Sequence, residues 1–224
     1  QEEHTKTSAG VTSTISPFSL HKALFALYML RGLHLEMLIS GSLNIYVMSW
    51  VSFLIESLKH PFKVGALTPS SPYLVKAMLA PVDWTTVKTV VEFGPGTGVM
   101  TRGILRRMRP DAKLVAYELN KNFIEKLTGT DARLTIKQQS AELMTEKPDV
   151  IISSLPLAAM PSAVVERILT RATIAKVFVQ FQYTQKLETR LAQHFTYSRR
   201  WIAKNIPPAH VYACRPRKTT TRQK

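Results

Sequence analysis

The run Glu92-Phe93-Gly94-Pro95-Gly96-Thr97-Gly98 sets three glycines at alternate positions, two residues after an acid. Glycines at such a turn let the backbone pass close to a ligand and open the next helix toward it. A second acid, Glu118, stands 24 residues beyond Gly94, at the end of the apolar run Lys113–Glu118. An acid in that place can accept both hydroxyls of a ribose. The spacing argues against two other nucleotide loops. The third glycine of a dinucleotide fingerprint would fall on Val99, and the Gly-Lys-Ser/Thr of a Walker loop is missing. Only 15 acids occur in the chain, and two of them close consecutive predicted strands.

The elements around these residues follow from apolar periodicity. Val87–Phe93, Lys113–Glu118, Arg133–Lys137, Asp149–Ser154 and Ala175–Phe181 read as five short strands. Between them Ile104 and Met108 share one helix face. Asn120 is placed to cap a helix through Phe123, Ile124 and Leu127, and Pro161–Thr170 is helical. Phe195–Ile202 and His210–Cys214 read as a final antiparallel pair around Pro207-Pro208. Strands alternating with helices predict a Rossmann-like α/β fold: a mostly parallel, seven-stranded sheet with helices on both faces.

Charge and apolarity divide the chain further. There are 30 Lys and Arg against 15 Asp and Glu, a net charge of +15, with 45% hydrophobic residues. That excludes a disordered chain, and the single cysteine, Cys214, excludes a disulfide scaffold. The charge asks for an anionic neighbour, nucleic acid or an anionic membrane surface. From Arg167 to Lys224 there are 13 basic residues and one acid, Glu188. Residues 1–15 are polar and predicted disordered; residues 16–60 are predicted as membrane-interacting helices; residues 61–214 form the core domain; residues 215–224 are a basic tail. Met37–Ile55 carries no charge but holds several Ser, Gly and Asn residues. A helix lying in the membrane interface, a helix packed on the core domain and a transmembrane helix all remain open for it. No His, Cys or Asp cluster has metal-ligand spacing, so no metal is expected.

The glycine loop with Glu92 and Glu118 resembles the class I S-adenosylmethionine-dependent methyltransferases, over about Val87–Cys214. The resemblance implies S-adenosylmethionine as cofactor. It would place Glu92, Gly94, Gly96 and Gly98 around the methionyl part, Glu118 at the ribose and Ala141 and Glu142 beside the adenine, with Leu119 and Ser153 also lining the cofactor. The loop after the fourth strand, Ser153-Ser154-Leu155-Pro156-Leu157, is compared with the Asn-Leu-Pro-Tyr of the ribosomal RNA adenine-N6 methyltransferases. Ser154 stands at the Asn position and Leu157 at the aromatic, which removes base recognition.

Four further pieces are more specific. Phe53–Ser71, Ser154–Leu157, Gln180-Phe181-Gln182-Tyr183 and Asn205–Tyr212 together resemble the bacterial phospholipid N-methyltransferases of the PmtA type. That resemblance implies stepwise N-methylation of phosphatidylethanolamine toward phosphatidylcholine, by a cytoplasmic enzyme held peripherally on the inner face of the membrane. Another aminolipid such as ornithine lipid, or an RNA adenine, is the alternative acceptor. Phospholipid and anionic membrane are the implied partners, with no nucleic acid. Tyr183 and the carbonyls around Ser153, Ser154 and Leu155 are the expected amine site. Thr68, Ser70 and Ser71 are expected to close it over head group or cofactor, or else to cap the helix that follows.

Overall fold

The computed structural model describes residues 70–217. Thr68, residues 1–60, the first nine residues of the core domain and the tail beyond residue 217 lie outside the described residues. So do all three readings of Met37–Ile55.

Helix α1 (Pro72–Leu79) starts where Ser71 caps it, its Oγ accepting from Leu74 N at 3.2 Å, with proline in the first turn. The sequence then alternates strands and helices: β1 (Thr89–Phe93), α2 (Val99–Leu105), β2 (Lys113–Tyr117), α3 (Lys121–Leu127), β3 (Leu134–Lys137), β4 (Val150–Ser153), α4 (Ser162–Ala172), β5 (Val177–Gln182), α5 (Glu188–His194), β6 (Phe195–Ile202) and β7 (Ala209–Pro216). Short 3-10 turns at Ala141–Leu143 and Leu157–Ala159 follow β3 and β4. The seven strands form one sheet in the order β3-β2-β1-β4-β5-β7-β6. β1 to β5 run parallel, and β7 is antiparallel to both β5 and β6.

This is the predicted architecture, with boundaries that shift for local reasons. β1 begins at Thr89 rather than Val87 because the Asp149 carboxylate accepts the N–H groups of Lys88 and Thr89, at 3.0 and 3.1 Å. Asn120 does cap α3, its Oδ1 accepting from Asn122 N at 3.0 Å. β1 and β4 are apolar almost throughout because helices cover both sheet faces. Val90 and Ile152 join Leu74, Met78 and Ile104 on the α1–α2 side. Val91 and Ile151 join Ile168, Leu169 and Leu191 on the α4–α5 side. Within these fully buried strands, Glu92 and Ser153 are the polar exceptions, and both sit at the carboxyl end. The sheet therefore gathers its polar groups where β1 and β4 diverge from their connecting loops, the usual ligand position in an open α/β sheet.

Candidate active site

The glycine loop hangs from the strand ends by backbone bonds: Gly94 N donates to Tyr117 O at 3.0 Å, and Gly98 N to Pro95 O at 2.9 Å. Gly94, Gly96 and Gly98 all have left-handed backbones, with φ of 70°, 53° and 77°. At Gly94 the constraint is double, because a Cβ there would also lie 2.8 Å from Leu155 Cδ2. Gly96 differs: nothing lies within 4 Å of its would-be Cβ. The loop is thus packed at its root and open at its middle.

Glu118 closes the loop from the side. It is buried, and its Oε1 accepts from Leu119 N at 2.8 Å and Asn120 N at 2.9 Å. Its Oε2 accepts from Gly96 N at 3.1 Å. A carboxylate has about four lone-pair sites, so three backbone donors leave room for one more. Glu118 can receive one hydroxyl as it stands; a second requires Gly96 N–H to release it. Sequence reasoning placed the acid correctly at the strand tip but missed this bond to the loop. Leu119 beside it is partly exposed at the rim.

Glu92 is fully buried on β1. Its Oε2 accepts from Thr101 Oγ1 of α2 at 2.7 Å, while Oε1 has no hydrogen-bond partner among the described residues. Burial pushes its pKa from 4.5 to about 8; the Thr101 bond opposes the rise and the nearby Glu118 charge adds to it. A buried orphan oxygen of this kind awaits a donor.

The loop after β4 abuts the glycine loop. Ser154 N donates to Phe93 O at 2.9 Å, and the Leu155 side chain lies against Gly94. Ser153 is fully buried, its Oγ accepting from Leu155 N at 3.4 Å. The Leu155 carbonyl, expected to face an amine, is already occupied. Gln180 Nε2 donates to it at 2.9 Å, Gln182 Nε2 at 3.2 Å and Leu157 N at 2.9 Å. Gln182 Oε1 in turn accepts from Ala158 N at 3.3 Å. Two glutamines two residues apart on one face of β5 therefore hold this loop in shape. Their pairing in a buried strand was the signal available in the sequence. Leu157 is buried in the apolar cluster on the α4–α5 side, so it offers no surface for a base to stack on.

Tyr183 follows β5 on the other face. Its ring meets Phe181 edge-on at 5.5 Å and packs against the α1-side core. Burial pushes its phenol up, opposed by a hydrogen bond with Asn205. Tyr183 and Ser153–Leu155 thus flank the ends of neighbouring strands from opposite faces of the sheet. Asn205, which sequence reasoning did not single out, ties this corner together. It is buried; its Nδ2 donates to Pro207 O at 2.7 Å and its Oδ1 accepts from Ser71 N at 3.1 Å.

The remaining expected residues fall elsewhere. Ser71 spends its hydroxyl as the α1 cap, which is the plainer of the two roles expected for it. Ser70 is half-buried beside it. Ala141 is buried against the core, and Glu142 is paired with Arg167 of α4 at 2.5 Å. A carboxylate so engaged is a poor candidate for an adenine contact. No group of three metal-ligating side chains occurs among the described residues.

Fold and loop geometry together define a class: this is the class I S-adenosylmethionine-dependent methyltransferase fold. It is shared with the N-methyltransferase NodS from Bradyrhizobium japonicum in complex with S-adenosyl-L-homocysteine, at TM-score 0.58 and 11% identity, over 75% of this chain and 99% of that one. A putative O-methyltransferase from Klebsiella pneumoniae is similar at TM-score 0.54 and 13% identity, over 79% and 97%. A dimethyladenosine transferase from Plasmodium falciparum is similar at TM-score 0.52 and 14% identity, over 66% of this chain and 62% of that one, so the chain spans about three-fifths of that enzyme's length. Such likenesses show the fold alone. In sequence, the chain is similar to the ornithine lipid N-methyltransferase of Singulisphaera acidiphila, 26% identical over 182 residues, covering 73% of this chain and 94% of that protein. No protein-family model matches the chain. The residues present fit S-adenosylmethionine: open space at Gly96, an acid able to take a hydroxyl at Glu118, and an unpartnered buried oxygen at Glu92.

Proposed function

We propose that the chain is an S-adenosylmethionine-dependent N-methyltransferase whose acceptor is the primary amine of an aminolipid head group, with ornithine lipid the first candidate and phosphatidylethanolamine the second. The observation that carries this reading is the relative with ornithine lipid N-methyltransferase activity in its name, 94% of whose length the chain covers. Two features of the site support it. The loop after β4 keeps its Leu155-Pro156 turn but has neither an amide side chain at Ser154 nor an exposed ring at Leu157. It is built for a small amine rather than a base.

When bound, S-adenosylmethionine supplies an electrophilic methyl group on a sulfonium. The chain's own residues do the rest. Gly94–Gly98 and Glu118 hold the donor, and Glu92 offers its free oxygen to a cationic group. Gln180 and Gln182 fix Leu155, so the loop that faces the acceptor costs no reorganisation during transfer. With the Leu155 carbonyl filled, the Tyr183 hydroxyl is the hydrogen-bond partner assigned to the amine. The raised phenol stays neutral at physiological pH, so its oxygen can accept from the amine while its ring faces a nitrogen that turns cationic each time it takes a methyl and gives a proton to solvent before the next transfer. Proximity, orientation and exclusion of water then supply most of the rate.

The test is incubation of the full chain with labelled S-adenosylmethionine and, separately, detergent-dispersed ornithine lipid, phosphatidylethanolamine and total ribosomal RNA. Label in an aminolipid supports the reading and names the head group. Label in RNA alone overturns it.

A further inference from the structure

Six large apolar side chains stand exposed among the described residues: Tyr73, Leu119, Leu143, Ile174, Trp201 and Ile206. They are not scattered. Leu119 and Leu143 lie on the segments leaving β2 and β3, Tyr73 opens α1, and Trp201 and Ile206 flank the tip of the β6–β7 hairpin. Ile174 alone lies at the opposite end, just before β5. The apolar exposure is concentrated at the carboxyl end of the parallel strands, the end that carries the glycine loop.

The hairpin tip is the most exposed part of it, with Trp201 at 61% and Ile206 at 78%, and Tyr73 of α1 stands under its Lys204. Basic groups stand among these side chains. Arg200 precedes Trp201, and Lys204 Nζ sits 5.1 Å over the Tyr73 ring. From Thr189 to the end of the chain no acid occurs. A tip carrying an indole, a branched aliphatic chain and lysine, where the acid bonded to the hairpin, Glu188, is neutralised by Arg199 at 2.7 Å, has the composition of a membrane-interface anchor.

We infer that the β6–β7 hairpin tip, with Tyr73, is a foot that seats the catalytic end of the sheet on an anionic bilayer. The inference rests on the aminolipid reading and deepens it by stating which face meets the lipid. Asn205 gives the foot a mechanical tie to the site. One side chain bonds the tip at Pro207 O and the start of α1 at Ser71 N, and it lies close enough to the Tyr183 phenol to oppose the rise in its pKa. The chain preceding Ser70, which includes the uncharged stretch Met37–Ile55, joins the fold at this same corner. A lipid head group lifted only slightly from the surface would then meet Tyr183 rather than having to cross the protein.

The experiment places an environment-sensitive fluorophore at Ile206→Cys and, as control, at Ile174→Cys, in the full chain. Cys214 is buried and shielded from labelling. Vesicles of phosphatidylcholine with phosphatidylglycerol and a small fraction of ornithine lipid or phosphatidylethanolamine are added at rising salt, and methylation of that aminolipid is measured both in those vesicles and in detergent. The expected result is a blue shift at position 206 and none at 174, weakening with salt. The Trp201→Ser/Ile206→Ser variant should lose about tenfold in vesicle methylation while keeping its detergent activity. The inference is overturned if the protein floats with vesicles while the label at 206 stays in water. It is equally overturned if that label is already shielded before vesicles are added, which would mean another part of the chain, a second copy or a protein covers the tip. Absence of vesicle binding overturns it too, and detergent activity then decides separately whether the aminolipid reading survives.

Discussion

Replacing Glu92 by glutamine separates the electrostatics of the site from its shape. Glutamine keeps the volume, can still accept from Thr101 Oγ1, and puts no charge in the core. In the wild type the folded pKa is pushed up to about 8 by burial, against an ordinary value of 4.5. The native state therefore keeps a proton that the unfolded chain has released throughout that window. Stability contributed by the neutral carboxyl is fully present below about pH 4.5 and is lost as pH rises toward 8. Each pH unit in the window costs about 1.4 kcal/mol, so the ligand-free protein weakens by on the order of 5 kcal/mol across it. Glu92→Gln removes that loss and leaves a flatter profile, so the variant should exceed the wild type at pH 8.5 in urea unfolding, at unchanged m-value. Ligand binding should move the other way. If a cationic group on the ligand meets Oε1, wild-type binding of S-adenosylhomocysteine near pH 7 releases a proton, measurable as a dependence of calorimetric heat on buffer ionisation enthalpy. The variant should release none and bind more weakly. Identical pH profiles for wild type and variant would refute the argument, because they would mean that Glu92 is ionised and solvated in the folded state.

Three other substitutions probe neighbouring parts. Glu118→Ala removes the acceptor of three backbone N–H groups along with the hydroxyl partner, and should weaken S-adenosylhomocysteine binding by at least about tenfold by calorimetry. Ser71→Ala should cost about 1 kcal/mol of stability through loss of the α1 cap and leave turnover per folded molecule unchanged. A large fall in turnover would instead assign the hydroxyl to the substrate. Gln182→Leu releases one of the donors on the Leu155 carbonyl and the acceptor of Ala158 N. It should lower kcat by roughly tenfold while leaving cofactor affinity within about twofold, as read by steady-state kinetics beside calorimetry.

The sheet was legible because its central strands β1 and β4 are buried on both faces and read as nearly unbroken apolar runs, and because glycine punctuation marks the first turn. Glu92 and Glu118 stood out for the opposite reason, as acids where the pattern called for apolar residues. What stayed hidden depends on distances across the fold. Nothing local to Glu118 indicates that its Oε2 accepts from Gly96 N, because that bond joins two loops 22 residues apart. The grip of Gln180 and Gln182 on Leu155 spans 25 and 27 residues, and that of Asn205 on Ser71 spans 134. A glutamine or asparagine is equally at home on a surface, so its type alone does not reveal a buried role. The carbonyl of Leu155 was chosen as an amine partner from the loop's sequence, and the structure instead fills it from β5.

The reversed direction of β7 has a consequence for the net charge of +15. Running antiparallel to β5, it starts at the hairpin tip with Ala209 and ends with Pro216 at the far side of the sheet. The seven steps between the first and last of its eight residues, at about 3.4 Å each, separate the two ends by about 24 Å. Arg217 is pinned at that far side by bonds to His194 O and Phe195 O. At physiological salt, charges act over about 8 Å. Arg200 and Lys204 at one end and Arg215 and Arg217 at the other are therefore electrically independent poles. Among the described residues, the positive charge at these two poles does not work as one field: an anionic surface touching the tip is out of range of the arginines at the far end of β7, and neutralising either pole leaves the other's attraction intact.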